Sequence, residues 1–250
     1  MRTNINGLSG KVAFVTGGSR GIGEGIVKRL ASEGVAVAFT YASSSSKAEK
    51  LANEIEANGG KVLALRADSQ DVSAVKNAVA EAIATLGNIN ILVNNAGLFD
   101  AKPYDQFSIN DFDRMVAVNI RAVFAAVQAA APSMGEGDRI ITIGSVNGDV
   151  TGFPGMSLYG MTKAAVAGLT RGLARDLGPQ GVTVNNIQPG PVNTDMNPAD
   201  GPDASSMRSL MALGRHGTTS EIAGLVAYLA SSEAAYITGA SIDINGGFMI

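Results

Sequence analysis

The chain has 250 residues, 46% of them hydrophobic and 16% charged, with a formal net charge of −3. That length allows one large α/β domain or two small ones, and the slight negative charge argues against general nucleic-acid binding. The absence of cysteine excludes disulfides, thiol nucleophiles and thiolate metal sites.

At the amino terminus, "MRTNINGLSGKVAFVTGG" lacks the apolar run of a secretory leader. No stretch is expected to reach the roughly 18 apolar residues that span a bilayer, so no membrane association and a cytoplasmic location are expected. From there short β-branched runs alternate with helix-compatible stretches. The runs cover residues 11–16, 35–40, 61–66, 89–94, 139–144 and 182–187, with a further short one at 239–244. Between them, residues 21–33, 47–58, 71–86, 108–131 and 156–177 are rich in Ala, Leu, Glu and Lys. Strand, helix, strand, repeated, predicts a single-domain α/β fold of Rossmann type: a doubly wound, seven-stranded parallel sheet with helices on both faces. The strands read as nearly continuous apolar runs, as they do when both sheet faces are covered.

No linker or repeat divides the chain, so residues 1–250 are read as one domain. "YASSSSKAEK" (41–50) reads as a flexible loop. Residues 191–217, rich in proline and glycine, separate a strand from the next helix and are expected to form a lid or substrate loop. The single histidine, His216, cannot build a metal cluster alone and reads as a surface or loop residue, and no metal site is expected.

The first strand runs into "TGGSRGIG" (16–23), where Gly17, Gly21 and Gly23 precede a helix. A tight turn of this kind lets backbone approach a pyrophosphate and aims free N–H groups of the helix at the anion, although it also serves as a plain strand-to-helix connection. An NAD site usually places an acid at the end of the second strand, about 20 residues beyond the glycines. Here Thr40-Tyr41-Ala42-Ser43-Ser44 offers none, while Arg20 sits in the glycine loop and Lys47 follows closely. Together these favour NADP(H) over NAD(H), because an arginine can pair with and stack beside a 2′-phosphate.

In "SLYGMTK" (157–163), Tyr159 and Lys163 stand four residues apart and share one helix face. Alone, such a pair is common on solvated helices. Ser145 falls just after the fifth strand, near the carboxyl ends where α/β ligands bind, and reads as a substrate-oxygen donor or as a turn serine.

In order and spacing, "TGGSRGIG" (16–23), "NNAG" (94–97), Asn119 in "VAVNI", Ser145 in "IGSVNG", "YGMTK" (159–163) and "PGPVNTDM" (189–196) resemble the short-chain dehydrogenase/reductase family over essentially the whole chain. The resemblance implies hydride transfer between a nicotinamide and a carbonyl, with Tyr159 as acid, Lys163 lowering its pKa and binding the nicotinamide ribose, Ser145 holding the substrate oxygen and Asn119 holding a relay water. It implies a cofactor site of Gly17, Ser19, Arg20, Gly21, Ile22 and Gly23, then Tyr41, Ala42 and Ser43, then Asp68 and Ser69 at the adenine. Asn95, Ala96 and Gly97 come under the ribose, and Pro189, Gly190, Val192 and Thr194 at the nicotinamide, with Asn94 a structural tie between strands. Ser145, Asn147, Phe153, Met156 and Tyr159 would meet substrate, with Val146 and Phe99 completing the wall. The Ser145-to-Tyr159 segment is one residue longer than the commonest family spacing, so the loop between them is expected to shape the pocket differently.

"GGSRGIG", "TYASS" and "INGG" are similar to the 3-oxoacyl-(acyl-carrier-protein) reductase branch. "IGSVNGD", the stretch through "NNIQPGPVNTDM" and "SLMALGRHG" resemble a bacterial subgroup that includes a biofilm-dispersal mediator binding cyclic di-GMP. The implied functions are an NADP(H)-dependent carbonyl reductase acting on a small-molecule ketone, aldehyde or 3-oxoacyl thioester, or alternatively a cyclic-di-GMP-binding regulator. The resemblance also implies a homotetramer built through residues 108–131, 156–177 and the last strand. The alanine-rich faces at 122–131 and 164–169 suit close packing there, or equally the core.

Overall fold

The computed structural model describes residues 7–249. The expectation of no secretory leader falls partly on residues 1–6, outside the described residues. Seven strands form one parallel sheet: β1 (Val12–Val15), β2 (Ala36–Tyr41), β3 (Val62–Arg66), β4 (Ile91–Asn94), β5 (Arg139–Ile143), β6 (Thr183–Pro189) and β7 (Ser241–Ile244). Their order is β3-β2-β1-β4-β5-β6-β7, so the connection reverses direction between β1 and β4, as the alternating pattern requires. That reversal opens a crevice at the carboxyl edge of the sheet, where ligands of such folds bind.

Eight α-helices flank the sheet in the described residues: α1 (Gly21–Ser32), α2 (Ser45–Ala57), α3 (Val72–Leu86), α4 (Ile109–Val116), α5 (Ala122–Ala130), α6 (Ser157–Leu177), α7 (Ala204–Ser209) and α8 (Thr219–Ala230). Successive strand residues point to opposite faces, and β1 shows the consequence: Ala13 and Val15 join Ile26 and Leu30 of α1 and Val226 of α8, whereas Phe14 joins Val79 of α3 and Ala126 of α5. The alanines of α5, Ala122, Ala125, Ala126 and Ala130, are buried in that second core, which decides for the core reading of this face.

Three expectations need correction. The helical run Ile109–Ser133 is long and apolar enough to cross a membrane by length and composition, although half of it is buried inside the fold. Its apolar side is the one that α3 and the sheet cover, so a core helix reaches the same composition as a span. Residues 45–50 are helix rather than loop, because α2 starts at Ser45 with Ser44 at its N-cap. His216 lies in a loop but is 5% exposed, with neither ring nitrogen hydrogen-bonded; burial, and then Arg208, lower its pKa.

Candidate active site

The glycine loop is stitched to its neighbours by backbone and side chain. Gly17 N–H donates to Thr40 Oγ1 at 3.0 Å and Gly18 N–H to Thr40 O at 2.9 Å. The β4 end is held by Thr16, whose Oγ1 accepts the Asn95 and Ala96 N–H groups at 3.0 Å, while Asn95 Nδ2 donates to Thr16 O and Gly17 O at 3.0 and 2.9 Å. Asn95 therefore makes the tie expected of Asn94. The Asn94 amide is buried at the end of β4 with neither polar atom bonded.

Two of the glycines serve different ends. A Cβ on Gly23 would come within 2.2 Å of Gly17 O, so this glycine lets α1 pack on the loop. Gly21 has φ +57° and only Thr194 near its open side, which leaves its backbone accessible from the cleft. The N-cap of α1 is Arg20, with no side-chain cap, whereas α3, α4 and α8 are capped by Asp71, Ser108 and Thr218. The first turn of α1 thus keeps uncapped N–H groups at the cleft, the arrangement that accepts a phosphate.

The cleft has a volume of about 1190 Å³ and runs from this loop to the start of α6. It is lined by every cofactor candidate: Gly17, Ser19, Arg20, Gly21, Ile22 and Gly23; Tyr41, Ala42 and Ser43; Asp68 and Ser69; Asn95, Ala96 and Gly97; Pro189, Gly190, Val192 and Thr194; and Tyr159 with Lys163. Ser145, Val146, Asn147, Phe153, Met156 and Phe99 line it as well, and so does the 191–217 segment at Met196 and Met207. Phe248, close to the carboxyl end, packs with Val146 and Met211 and closes one wall. Sequence reasoning missed Phe248, Met207 and Arg114, for no local pattern marks a side chain brought in from α7, α4 or the last residues.

Tyr159 and Lys163 sit on the first two turns of α6 with the Lys163 Nζ 5.6 Å from the Tyr159 ring centroid. Lys163 Nζ donates to Ile143 O at 2.9 Å, and burial lowers its pKa to about 8. Phe99 meets the Tyr159 ring edge-on, with centroids 5.0 Å apart and planes at 80°. Burial raises the Tyr159 pKa, with hydrogen bonding from Ser145 opposing it. Removal of the phenol from water thus outweighs the lowering expected of Lys163. Ser145 also acts as a turn residue: its Oγ accepts the Asn147 N–H at 3.1 Å.

Asn119 alone among the candidates does not line the cleft. It lies in a π turn, Ala117–Arg121, with its Oδ1 accepting from Leu98 N at 2.7 Å and its Nδ2 donating to Leu98 O at 2.9 Å and Thr162 Oγ1 at 3.0 Å. Both amide protons are used within the protein, so the side chain ties the post-β4 loop to α6. The rim brings a further surprise. Lys47 Nζ pairs with Asp195 Oδ2 at 2.6 Å, and Asp195 lies close enough to Arg20 to feel its charge. A carboxylate from the 191–217 segment thus stands at this rim, between Lys47 and the charge of Arg20.

Residues 17–249 match the family model described as enoyl-(acyl carrier protein) reductase. The cyclic-di-GMP-binding biofilm dispersal mediator protein of Escherichia coli (strain K12) is 44% identical over 244 residues, covering 98% of this chain and 99% of that protein. The chain belongs to the short-chain dehydrogenase/reductase family. Among its relatives in this family, the 3-oxoacyl-[acyl-carrier-protein] reductase FabG of Staphylococcus aureus (strain Mu50 / ATCC 700699) is 40% identical over 240 residues, 95% of this chain and 97% of that one. A short-chain dehydrogenase from Burkholderia cenocepacia J2315, solved in complex with NADP, is 49% identical with a TM-score of 0.95, covering 96% of this chain and 98% of that chain.

Proposed function

We propose that this protein is an NADP(H)-dependent reductase that converts a ketone, aldehyde or 3-oxoacyl carbonyl to an alcohol. The observation that carries this reading is the convergence of Ser145, Tyr159 and Lys163 at one end of a cleft whose other end is the uncapped start of α1. The cofactor fits the residues present: Gly21 leaves room for a pyrophosphate, Arg20 can pair with a 2′-phosphate, and Lys163 can reach a ribose hydroxyl. NADPH, when bound, supplies the hydride.

Ser145 Oγ–H donates to the substrate carbonyl oxygen and stabilises the negative charge that grows on it. Tyr159 gives its hydroxyl proton to that oxygen, which completes the alcohol. The ammonium of Lys163 stabilises the phenolate left behind, a charge the buried site would otherwise oppose. Asn119 holds the post-β4 loop against α6, so that Phe99 stays on the Tyr159 ring. The mixed lining of Phe153, Met156, Val146 and Asn147 suits an apolar carbonyl with one polar group.

Oxidation of NADPH with a panel of carbonyls tests the reading. Turnover is expected with NADPH in preference to NADH and should fall about 10²- to 10⁴-fold in Tyr159→Phe, whereas undiminished turnover in that variant overturns the mechanism.

A second reading, binding of cyclic di-GMP, draws on the likeness to the E. coli dispersal mediator. Titration calorimetry with and without NADPH tests it: heat that NADPH suppresses supports binding in the same cleft, and no heat at all removes it. A homotetramer is supported by exposed Ile109, Phe112, Phe124 and Met161 on α4, α5 and α6, and by β7 as an open sheet edge. Light scattering at fourfold the chain mass is the expected result.

A further inference from the structure

We propose that Gln188 is a positioning residue that holds the Ser145 loop in its working geometry through Asp149, an inference that rests on the reading of Ser145 as the donor to the substrate oxygen. Gln188 lies on β6 directly before Pro189 and is 1% exposed. Its Nε2 donates to Asp149 Oδ2 at 2.7 Å and to Asp243 Oδ1 at 3.0 Å, and its Oε1 accepts from Asn186 Nδ2 at 3.2 Å. Both protons of one buried amide are therefore spent on two carboxylates, one from the catalytic loop and one from the edge strand β7. Such charge-assisted bonds are short and directional. From this position the amide satisfies two acids at once; a carboxylate would repel both, and an apolar side chain would release both.

Asp149 closes the turn that Ser145 begins. Gly148 N–H donates to Ser145 O at 2.9 Å, Asp149 N–H to Val146 O at 3.0 Å and Val150 N–H to Val146 O at 2.9 Å. On its other side the turn is wedged against α6: a Cβ on Gly148 would stand 3.0 Å from the Lys163 backbone, and one on Gly160 would stand 2.9 Å from Asn147 O. Upstream of Ser145, a Cβ on Gly144 would come within 2.5 Å of Asn186 Oδ1. The backbone before Ser145 thus rests on Asn186 and the backbone after it hangs from Gln188, two amides of one strand that also bond to each other. The stretches "IGSVNGD" and "NNIQPG" meet at the Gln188–Asp149 hydrogen bond. A donor in an active site must be held to within about 0.5 Å of its productive position, and a loop residue needs outside support for that.

The test combines steady-state kinetics with backbone amide exchange over residues 145–150. Gln188→Leu and Asp149→Ala are expected to lower kcat about tenfold, a plausible cost for a displacement of less than 1 Å, with the KM for NADPH within about twofold of wild type, and to speed exchange at Gly148, Asp149 and Val150. Asp149 is exposed, so its variant reports even if loss of the buried amide prevents folding. Gln188→Glu alone should be at least as damaging. Combined with Asp149→Asn and Asp243→Asn, which reverse each donor and acceptor, it should recover kcat and exchange protection. Wild-type kcat and exchange in Asp149→Ala, or a triple variant no better than Gln188→Glu, overturns the proposal. If the wild-type chain turns over no carbonyl, the reductase reading fails, and the exchange pattern by itself decides whether Gln188 holds the loop.

Discussion

The ammonium of Lys163 stands 5.6 Å from the centre of the Tyr159 ring while donating to the carbonyl oxygen of Ile143 at 2.9 Å. The cation is thus anchored to the end of β5 and stands over the face of the phenol ring. From there its charge favours the phenolate over the neutral phenol.

Activity should follow the charge on Lys163. Burial holds its pKa at about 8, against 10.5 for an unperturbed lysine. Below pH 8 the ammonium is present, and above it the charge is lost. The kcat/KM for carbonyl reduction should therefore be flat at neutral pH and fall as pH rises through about 8, in a profile measured at saturating NADPH.

The same burial makes Lys163 a cost to the fold. Between pH 8 and 10.5 the unfolded chain keeps a proton that the folded chain has released, so wild-type stability should rise with pH across this window. Lys163→Met should remove that slope, abolish turnover and raise stability at pH 7 by roughly 1–3 kcal/mol. Urea unfolding at pH 7 and pH 9.5 checks both the sign and the loss of slope.

Arg20 and Asp195 should act in opposite senses on the choice of cofactor. Loss of a charge-assisted bond to a 2′-phosphate costs about 1.5–3 kcal/mol, so Arg20→Ala should raise the KM for NADPH roughly 10- to 100-fold and leave that for NADH nearly unchanged. Asp195→Asn frees Lys47 and removes a negative charge at the rim, and should tighten NADPH binding several-fold. Fluorescence titration with both cofactors at two salt concentrations measures each.

His216 should destabilise the protein on acidification. Its folded pKa is held below the usual 6.5 by burial, with Arg208 adding to the effect. Its contribution is fully present above pH 6.5 and is lost as pH falls toward the lowered folded value. Unfolding midpoints at pH 7.5 and 5.5 should differ less in His216→Met than in wild type.

Much of the architecture was legible because it depends on local periodicity. The six main strands lie within about two residues of where β-branched runs put them, and the glycine loop and the Tyr159–Lys163 spacing carry their own geometry. The alternation of strand and helix already requires parallel pairing, and parallel pairing collects loop ends at one edge, so the candidates could be expected to share a cleft. α7 escaped notice, since six residues inside a loop give no periodic signal.

By itself the sequence determined the fold class, which follows from hydrophobic period and chain order, while the residues expected around the crevice came from its resemblance to a family. Only the tertiary structure decided what each side chain does there. It set Asn95 rather than Asn94 on the glycine loop, turned Asn119 inward to the protein, carried Asp195 to Lys47, and put Gln188 between Asp149 and Asp243. Those outcomes depend on hydrogen bonds between residues far apart in the chain, whose partners meet only once the chain has folded.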